Sequence, residues 1–292
     1  MSPHFYRSLW GLEALGLDAS VKAVKAAGFH GVEASLGDMG YQNSTPRDFS
    51  KVMAFKNLCI ELDLKVVAGV YSSWQDYEGP WEKKSVSQHL SQLEFQFQAV
   101  SVLSGVVTHI NIHSGSDDFS DSESREYFGE ATKLQERYTL PFVEFGHETH
   151  RGRILYSPWT TRELLRDFPN LQLTLDLSHW IVVCERLLET DYEWTWLQSQ
   201  VIPRVAHVHA RVGHAQAPQV STTDDPAFAS EVAYFDRVWK SVHQHRQSQG
   251  LDSTLCLEYG PYPYQPKGAL DVPDISNLII SELTRLRSAM TL

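Results

Sequence analysis

The sequence predicts a single α/β domain over residues 1–292, a closed (β/α)₈ TIM barrel. Three observations lead there. Apolar strand-like runs alternate with helical stretches, eight of each, which implies a parallel sheet. A length of 292 residues suits eight such units, and no composition break marks a second domain. No Gly-rich phosphate loop follows an early strand, which weakens the alternative of a doubly wound nucleotide-binding sheet.

In chain order, Phe5–Gly11 reads as the first strand, and Ala14–Ala27 as a helix stopped by Gly28. Gly31–Leu36 is the second strand and Pro46–Leu62 the second helix. Val-rich Leu64–Tyr71 is the third strand, followed by a loop holding Trp74, Gly79-Pro80 and Trp81. Ser85–Leu103 is amphipathic and helical, Val106–His113 is strand four, and Ser120–Tyr138 is a helix opened by the capping-box pair Ser120 and Glu123. The extended apolar run Leu140–Val143 feeds a fifth strand that ends in a polar cluster, Glu144 to Arg153. Trp159–Asp167 is helical, Leu171–Leu177 is strand six, Leu188–Gln200 a helix, and Val205–Ala210 strand seven. A long polar loop, Arg211–Pro226, reads as a lid over the end of strand seven. Ala227–Gln249, Thr254–Tyr259 and Ile275–Met290 complete the set as helix, strand and helix.

Composition narrows the partners. A hydrophobic content of 42% is enough for a sizeable core. A net charge of -11 argues against nucleic acid, whose binding rests on Lys and Arg. The three cysteines show no CxxC spacing, no secretory leader pattern opens the chain, and no apolar run nears the roughly 20 residues that span a bilayer. The expectation is a cytoplasmic protein with no membrane or nucleic-acid partner; a homo-oligomer is compatible with the sequence.

Four strand ends carry the chemistry. Glu148, Asp176, His209 and Glu258 each close an apolar strand, at the barrel end where active sites form. Taken singly, such a carboxylate is more commonly a helix cap or a solvated loop residue. Four on consecutive strands suit one divalent ion, Mn²⁺, Mg²⁺, Co²⁺ or Zn²⁺, and the absence of thiolates disfavours a structural zinc site. Strand alternation puts His207 on the face of His209, roughly 7 Å deeper, as a support or substrate group. It likewise sets Asn111 beneath His113 and Glu144 beneath Glu148, and turns His147 away from the pocket into a loop role. His113 reads equally as a structural histidine. Arg151, Arg153 and Arg211 suit a substrate oxyanion, or are solvated loop charges. Trp10, Trp74, Trp180 and Tyr259 are candidate apolar walls, with ordinary packing as the alternative for each.

These residues resemble the xylose isomerase-like superfamily of sugar phosphate isomerases and epimerases, from strand one to strand eight. The resemblance is carried by Glu148, by Asp176-Leu177-Ser178-His179, by His207-Val208-His209 and by Glu258. In tagatose epimerase-like members the matching Glu, Asp, His and Glu bind one divalent ion, and the two glutamates move protons on opposite faces of the substrate. The resemblance therefore implies Glu148 and Glu258 as acid/base groups and His179 as a substrate ligand, with His113, His150, His207 and Arg211 as further candidate substrate contacts. Epimerases of that group place a Glu and then an Arg after the strand-seven His, where this chain has only Arg211; Glu148-Thr149-His150-Arg151-Gly152-Arg153 is similar to inosose dehydratase-like members too. Endonuclease IV shares the superfamily and an Asn111-Ile112-His113-like motif, but its strand-three His and its Asp-x-His have no counterpart here. The implied activity is metal-dependent isomerisation or epimerisation of a small sugar-like hydroxy-carbonyl compound. Dehydration of a keto-polyol or keto-acid is the alternative, ahead of DNA repair and of a non-catalytic sugar-binding barrel.

Overall fold

The computed structural model describes residues 2–41, 48–73, 82–265 and 274–290. Eight parallel strands close on themselves in sequence order. They are β1 His4–Ser8, β2 Gly31–Ser35, β3 Lys65–Tyr71, β4 Val107–His113, β5 Glu144–Glu148, β6 Leu173–Leu175, β7 Val205–His209 and β8 Thr254–Leu257. Closure comes where His4 pairs with Thr254 and Arg7 with Leu257. Around them lie α1 Leu17–Ala26, α2 Ser50–Glu61, α3 Val86–Val100, α4 Asp121–Arg137, α5 Pro158–Asp167, α6 Leu177–Cys184, α7 Asp191–Trp196, α8 Ala229–Ser248 and α9 Ile275–Ala289. The Ser120–Glu123 capping box forms, as does a second one from Ser85 and Gln88. A side-chain cap of this kind is worth about 1 kcal/mol.

Alternation along the strands sorts the two faces. Val66, Ala68, Val70, Ile110, Ile112, Leu173, Leu175, Leu255 and Leu257 belong to the large apolar core, which includes the buried sides of the helices. The axis-facing residues are mostly polar, apart from a small cluster of Tyr6, Val67 and Cys256. Gly31 permits that cluster, since a Cβ there would stand 2.4 Å from the Tyr6 ring.

Three expectations need correction. Leu140–Val143 is not extended: Phe142 is left-handed at φ 63 and fully exposed, and the Val143 amide bonds back to Leu140. Pro141 has no N–H to give a ladder, so β5 begins at Glu144. Strand six stops at Leu175, because the Asp176 side chain accepts the Ser178 amide at 3.0 Å and opens α6, a helix missing from the sequence reading. The expected helix Leu188–Gln200 is α7 followed by a wider turn, Leu197–Val201. Trp74, Gly79-Pro80, Trp81 and the Pro46 helix start lie outside the described residues. Among the described residues no helix is long and apolar enough to cross a membrane.

At the N-terminal end of the barrel Glu144 accepts hydrogen bonds from His109 (3.0 Å) and Arg246 (2.6 Å). Burial opposes ionisation of Glu144, yet these donors hold its carboxyl down at about 2 from an ordinary 4.5. A depressed folded-state pKa gives stability that is full above the ordinary value and is lost as pH falls through the folded one. Glu144→Gln is therefore expected to flatten the acid limb between pH 4.5 and about 2 in urea melts. An unchanged acid limb would count against this arrangement.

Candidate metal centre and active site

The C-terminal strand ends surround a cleft of about 620 Å³, lined among others by Trp10, Tyr71, Asn111, His113, His150, Glu258 and Tyr264. Trp10 packs against Gly260, where a Cβ would stand 2.1 Å from its ring, and meets Tyr264 edge-on at 4.9 Å. These rings give the cleft an apolar wall.

At its floor four side chains converge. Glu148 ends β5, Asp176 follows β6, His209 ends β7 and Glu258 follows β8, and one ligand atom from each lies within 4.8 Å of the others. His209 Nδ1 is 3.0 Å from Glu258 Oε2 and 3.5 Å from Glu148 Oε1. All three atoms are buried and lack a hydrogen-bond partner. Buried polar atoms are nearly always satisfied, so three such atoms gathered within a few ångströms fit a cation-binding site. The donor set, carboxylate oxygens and one imidazole nitrogen, fits a divalent ion of hard to borderline character. Asp176 is both ligand candidate and helix cap. Its Oδ1 accepts from the Ser178 amide and hydroxyl, and its Oδ2 pairs with Arg211.

The surrounding groups fix these atoms. Glu148 Oε2 accepts from Asn111 Nδ2 and His113 Nε2, both at 2.7 Å, which leaves Oε1 for the centre. Burial opposes ionisation of Glu148, but His113 and His209 beside it hold its carboxyl well below the usual range. Burial pushes the Asp176 carboxyl up to about 6, against the pull of Arg211. His209 is buried too, yet the negative charge of Glu258, Glu33 and Glu148 raises its pKa well above the ordinary value. A field that favours the protonated imidazole also favours a metal ion beside it, with release of a proton.

Residues 21–267 match the family described as a xylose isomerase-like TIM barrel. The chain belongs to that family. Among solved structures it is similar to a D-tagatose 3-epimerase-like protein, at 15% identity and a TM-score of 0.62 over 99% of this chain and 98% of that one. The probable 3-DHS dehydratase of Bacillus anthracis gives 15%, 0.58, 97% and 98%, and endonuclease IV of Thermus thermophilus 16%, 0.56, 99% and 99%. At such identities the likeness is one of fold. No curated protein sequence matches.

Within this xylose isomerase-like barrel the remaining sequence-derived candidates separate. His113 and His150 line the cleft with their rings 5.0 Å apart, and His150 lies 3.9 Å from His179. Burial lowers the pKa of His150 and of His179 well below the ordinary value, so both are neutral imidazoles. His207 does not reach the cleft, which corrects its place beside a substrate. Both its ring nitrogens are engaged below the site, one with Thr254 at 2.7 Å and one with Glu33 at 3.1 Å. Arg211 is likewise no solvated loop cation. It is buried, paired with Asp176 and Glu258, and stacked on Tyr264 at 4.6 Å. The lid expectation fails with it. Val212 and Val220 are buried and bonded to each other, and Gln219 holds Gly260 through both its amide atoms. That loop is a packed strap. Trp180 and Tyr259 are fully buried packing residues, leaving Trp10 as the wall among the candidates in the described residues. His147 points outward as its parity requires, but from within β5 and not from a loop, bonded to Ser114 and packed on Phe128.

Glu33 went unnoticed in the sequence. It stands on β2, buried, 2.8 Å from His209 Nε2. The available signal was a lone carboxylate in the middle of a short strand of small and apolar residues, Gly31–Leu36.

Proposed function

We propose that the chain is a divalent-metal-dependent isomerase or epimerase of a small, sugar-like hydroxy-carbonyl compound, acting in the cytoplasm without a nucleic-acid partner. The observation that carries it is the convergence of unsatisfied Glu148 Oε1, His209 Nδ1 and Glu258 Oε2 beside Asp176 on the floor of a cleft. When bound there, a divalent ion supplies Lewis acidity that polarises a carbonyl oxygen. Glu148 and Glu258, at the ends of β5 and β8, both reach His209 Nδ1 and act as the proton carriers. One takes the proton from the carbon next to the carbonyl, and the other returns it at the same or the neighbouring carbon. Trp10 and Tyr264 cover the apolar face of the substrate, and His150 and His113 hold hydroxyls. Among the described residues the cleft lining carries Glu13, Glu33, Asp38 and Glu258 and no Lys or Arg, which supports an uncharged polyol over a phosphate ester.

The test uses metal-stripped and reloaded protein, with a panel of ketoses and keto-acids in ²H₂O. Uptake should be about one equivalent of metal, as for one four-ligand site. Metal-dependent exchange of substrate ¹H for ²H without loss of water is the expected result. Exchange accompanied by water loss identifies a dehydratase. Binding without exchange sinks the enzymatic reading.

A further inference from the structure

In a barrel of this class the axis is ordinarily filled by layers of branched apolar side chains. Here a hydrogen-bonded column occupies it beneath the metal centre. Thr254 Oγ1 lies 2.7 Å from His207 Nδ1, His207 Nε2 lies 3.1 Å from Glu33 Oε2, and Glu33 Oε1 lies 2.8 Å from His209 Nε2. Asn111 Nδ2 adds a third donor to Glu33 at 3.3 Å. All five residues are buried. Buried polar groups hold one another through their hydrogens, and the links from Thr254 through His207 and Glu33 to His209 have a single consistent assignment of theirs.

The assignment runs outward from Glu33. An ionised carboxylate only accepts, so both imidazole nitrogens facing it carry hydrogen. His207 is then protonated on Nε2, and its Nδ1 accepts from the Thr254 hydroxyl. His209 is protonated on Nε2, so Nδ1 is the atom left to face Glu148 and Glu258. We infer that Glu33, braced from below by His207 and Thr254, is a positioning residue that fixes which nitrogen of His209 the metal takes. The inference rests on the proposed metal site, and it extends that site to Glu33, which lines the cleft, and to His207 and Thr254 below it. The proton on His209 Nε2 is held by Glu33, so a metal displaces hydrogen only at Nδ1. With the opposite tautomer, Nδ1 would present a hydrogen to the centre, and ligand and ion would exclude each other.

The experiment compares the full-length protein with Glu33→Gln, Thr254→Val and Thr254→Ser. Mn²⁺ dissociation constants come from competition with a chelating dye, and ¹⁵N spectra of histidine-labelled, Zn²⁺-loaded protein report the state of each His209 nitrogen. A glutamine in place of Glu33 presents one acceptor and one donor to two N–H groups. It is expected to weaken Mn²⁺ by roughly 10- to 100-fold, the usual effect of losing an outer-shell partner, and to blur the single ¹⁵N pattern. Thr254→Val, nearly isosteric, is expected to weaken Mn²⁺ by roughly 2- to 10-fold, the worth of one hydrogen bond. Thr254→Ser should restore it. Thr254→Val and its rescue keep the test decisive where Glu33→Gln does not fold. Wild-type protein that takes no Mn²⁺ overturns the metal site and this role with it. Wild-type binding with unchanged affinity and ¹⁵N pattern in folded Glu33→Gln or Thr254→Val overturns the positioning role alone.

Discussion

Glu148→Gln and Glu258→Gln, each at saturating divalent metal, are expected to stay slower than wild type by roughly 10²- to 10⁴-fold, the usual worth of a placed general base. The logic separates two jobs held by one side chain. Either change weakens the metal, since Glu148 Oε1 and Glu258 Oε2 are both aimed at the centre. Glutamine at position 148 has an added constraint. Asn111 and His113 already donate to Oε2, so the amide turns its oxygen to them and its NH₂ toward the metal. Excess metal corrects only that part of the loss. An amide cannot accept a proton from carbon, so the chemical step stays slow. Asp176→Asn provides the contrast: its rate should recover with metal, because Asp176 is capped by Ser178 and paired with Arg211 and carries no proton in the reaction. Each glutamine variant should retain substrate–solvent exchange on the face served by the remaining glutamate. Full recovery of both variants at saturating metal would exclude the two-glutamate relay and leave the metal site standing.

The fold was legible because the strands announce themselves by alternation. Ile110 and Ile112 against Asn111 and His113, or Val208 against His207 and His209, show which face meets the helices and which meets the axis. The same parity brought Glu148, His209 and Glu258 to one end of one lumen. Alternation does not say where a strand stops. The apolar run Leu171–Leu177 carries no internal signal that pairing ends at Leu175; that is decided when Asp176 captures the Ser178 amide and turns the chain into α6.

The roles of His207, Arg211 and Glu33 were hidden for another reason. Their partners are remote in sequence. His207 meets Glu33 across 174 positions, and Arg211 meets Asp176 across 35. Parity places a side chain on a face but not beside a particular neighbour. Parity leaves His207 as either a support or a substrate group, and Arg211 as either an oxyanion ligand or a loop cation; the structure engages His207 on Glu33 and pairs Arg211 with Asp176 and Glu258. The loop from Arg211 to Pro226 misled in the same way. Its polar composition hid the two valines, Val212 and Val220, that strap it to the barrel.

Arg211→Met is expected to destabilise the metal-free protein by about 3–5 kcal/mol, the usual cost of breaking a buried ion pair from one side. The guanidinium is fully buried; it donates to Asp176 and to the Glu258 carbonyl at 2.9 Å and forms an ion pair with the Glu258 carboxylate at 3.3 Å. Methionine keeps much of the side-chain volume and the contact with Tyr264 but removes the only Arg or Lys among these contacts. Asp176 and Glu258 are then left facing each other with little water to separate them. A divalent ion is the natural replacement for the lost charge, and it binds the folded state alone. Metal at 100 times its dissociation constant adds about 2.7 kcal/mol. The variant should therefore regain much of its loss on loading, and it should bind metal more tightly than wild type, because no internal cation competes for Asp176 and Glu258. Calorimetric melts with and without Mn²⁺, set beside chelator-competition affinities, measure both effects. Equal metal-induced stabilisation in the two proteins, at equal affinity, would show that Arg211 leaves the charge of the site untouched.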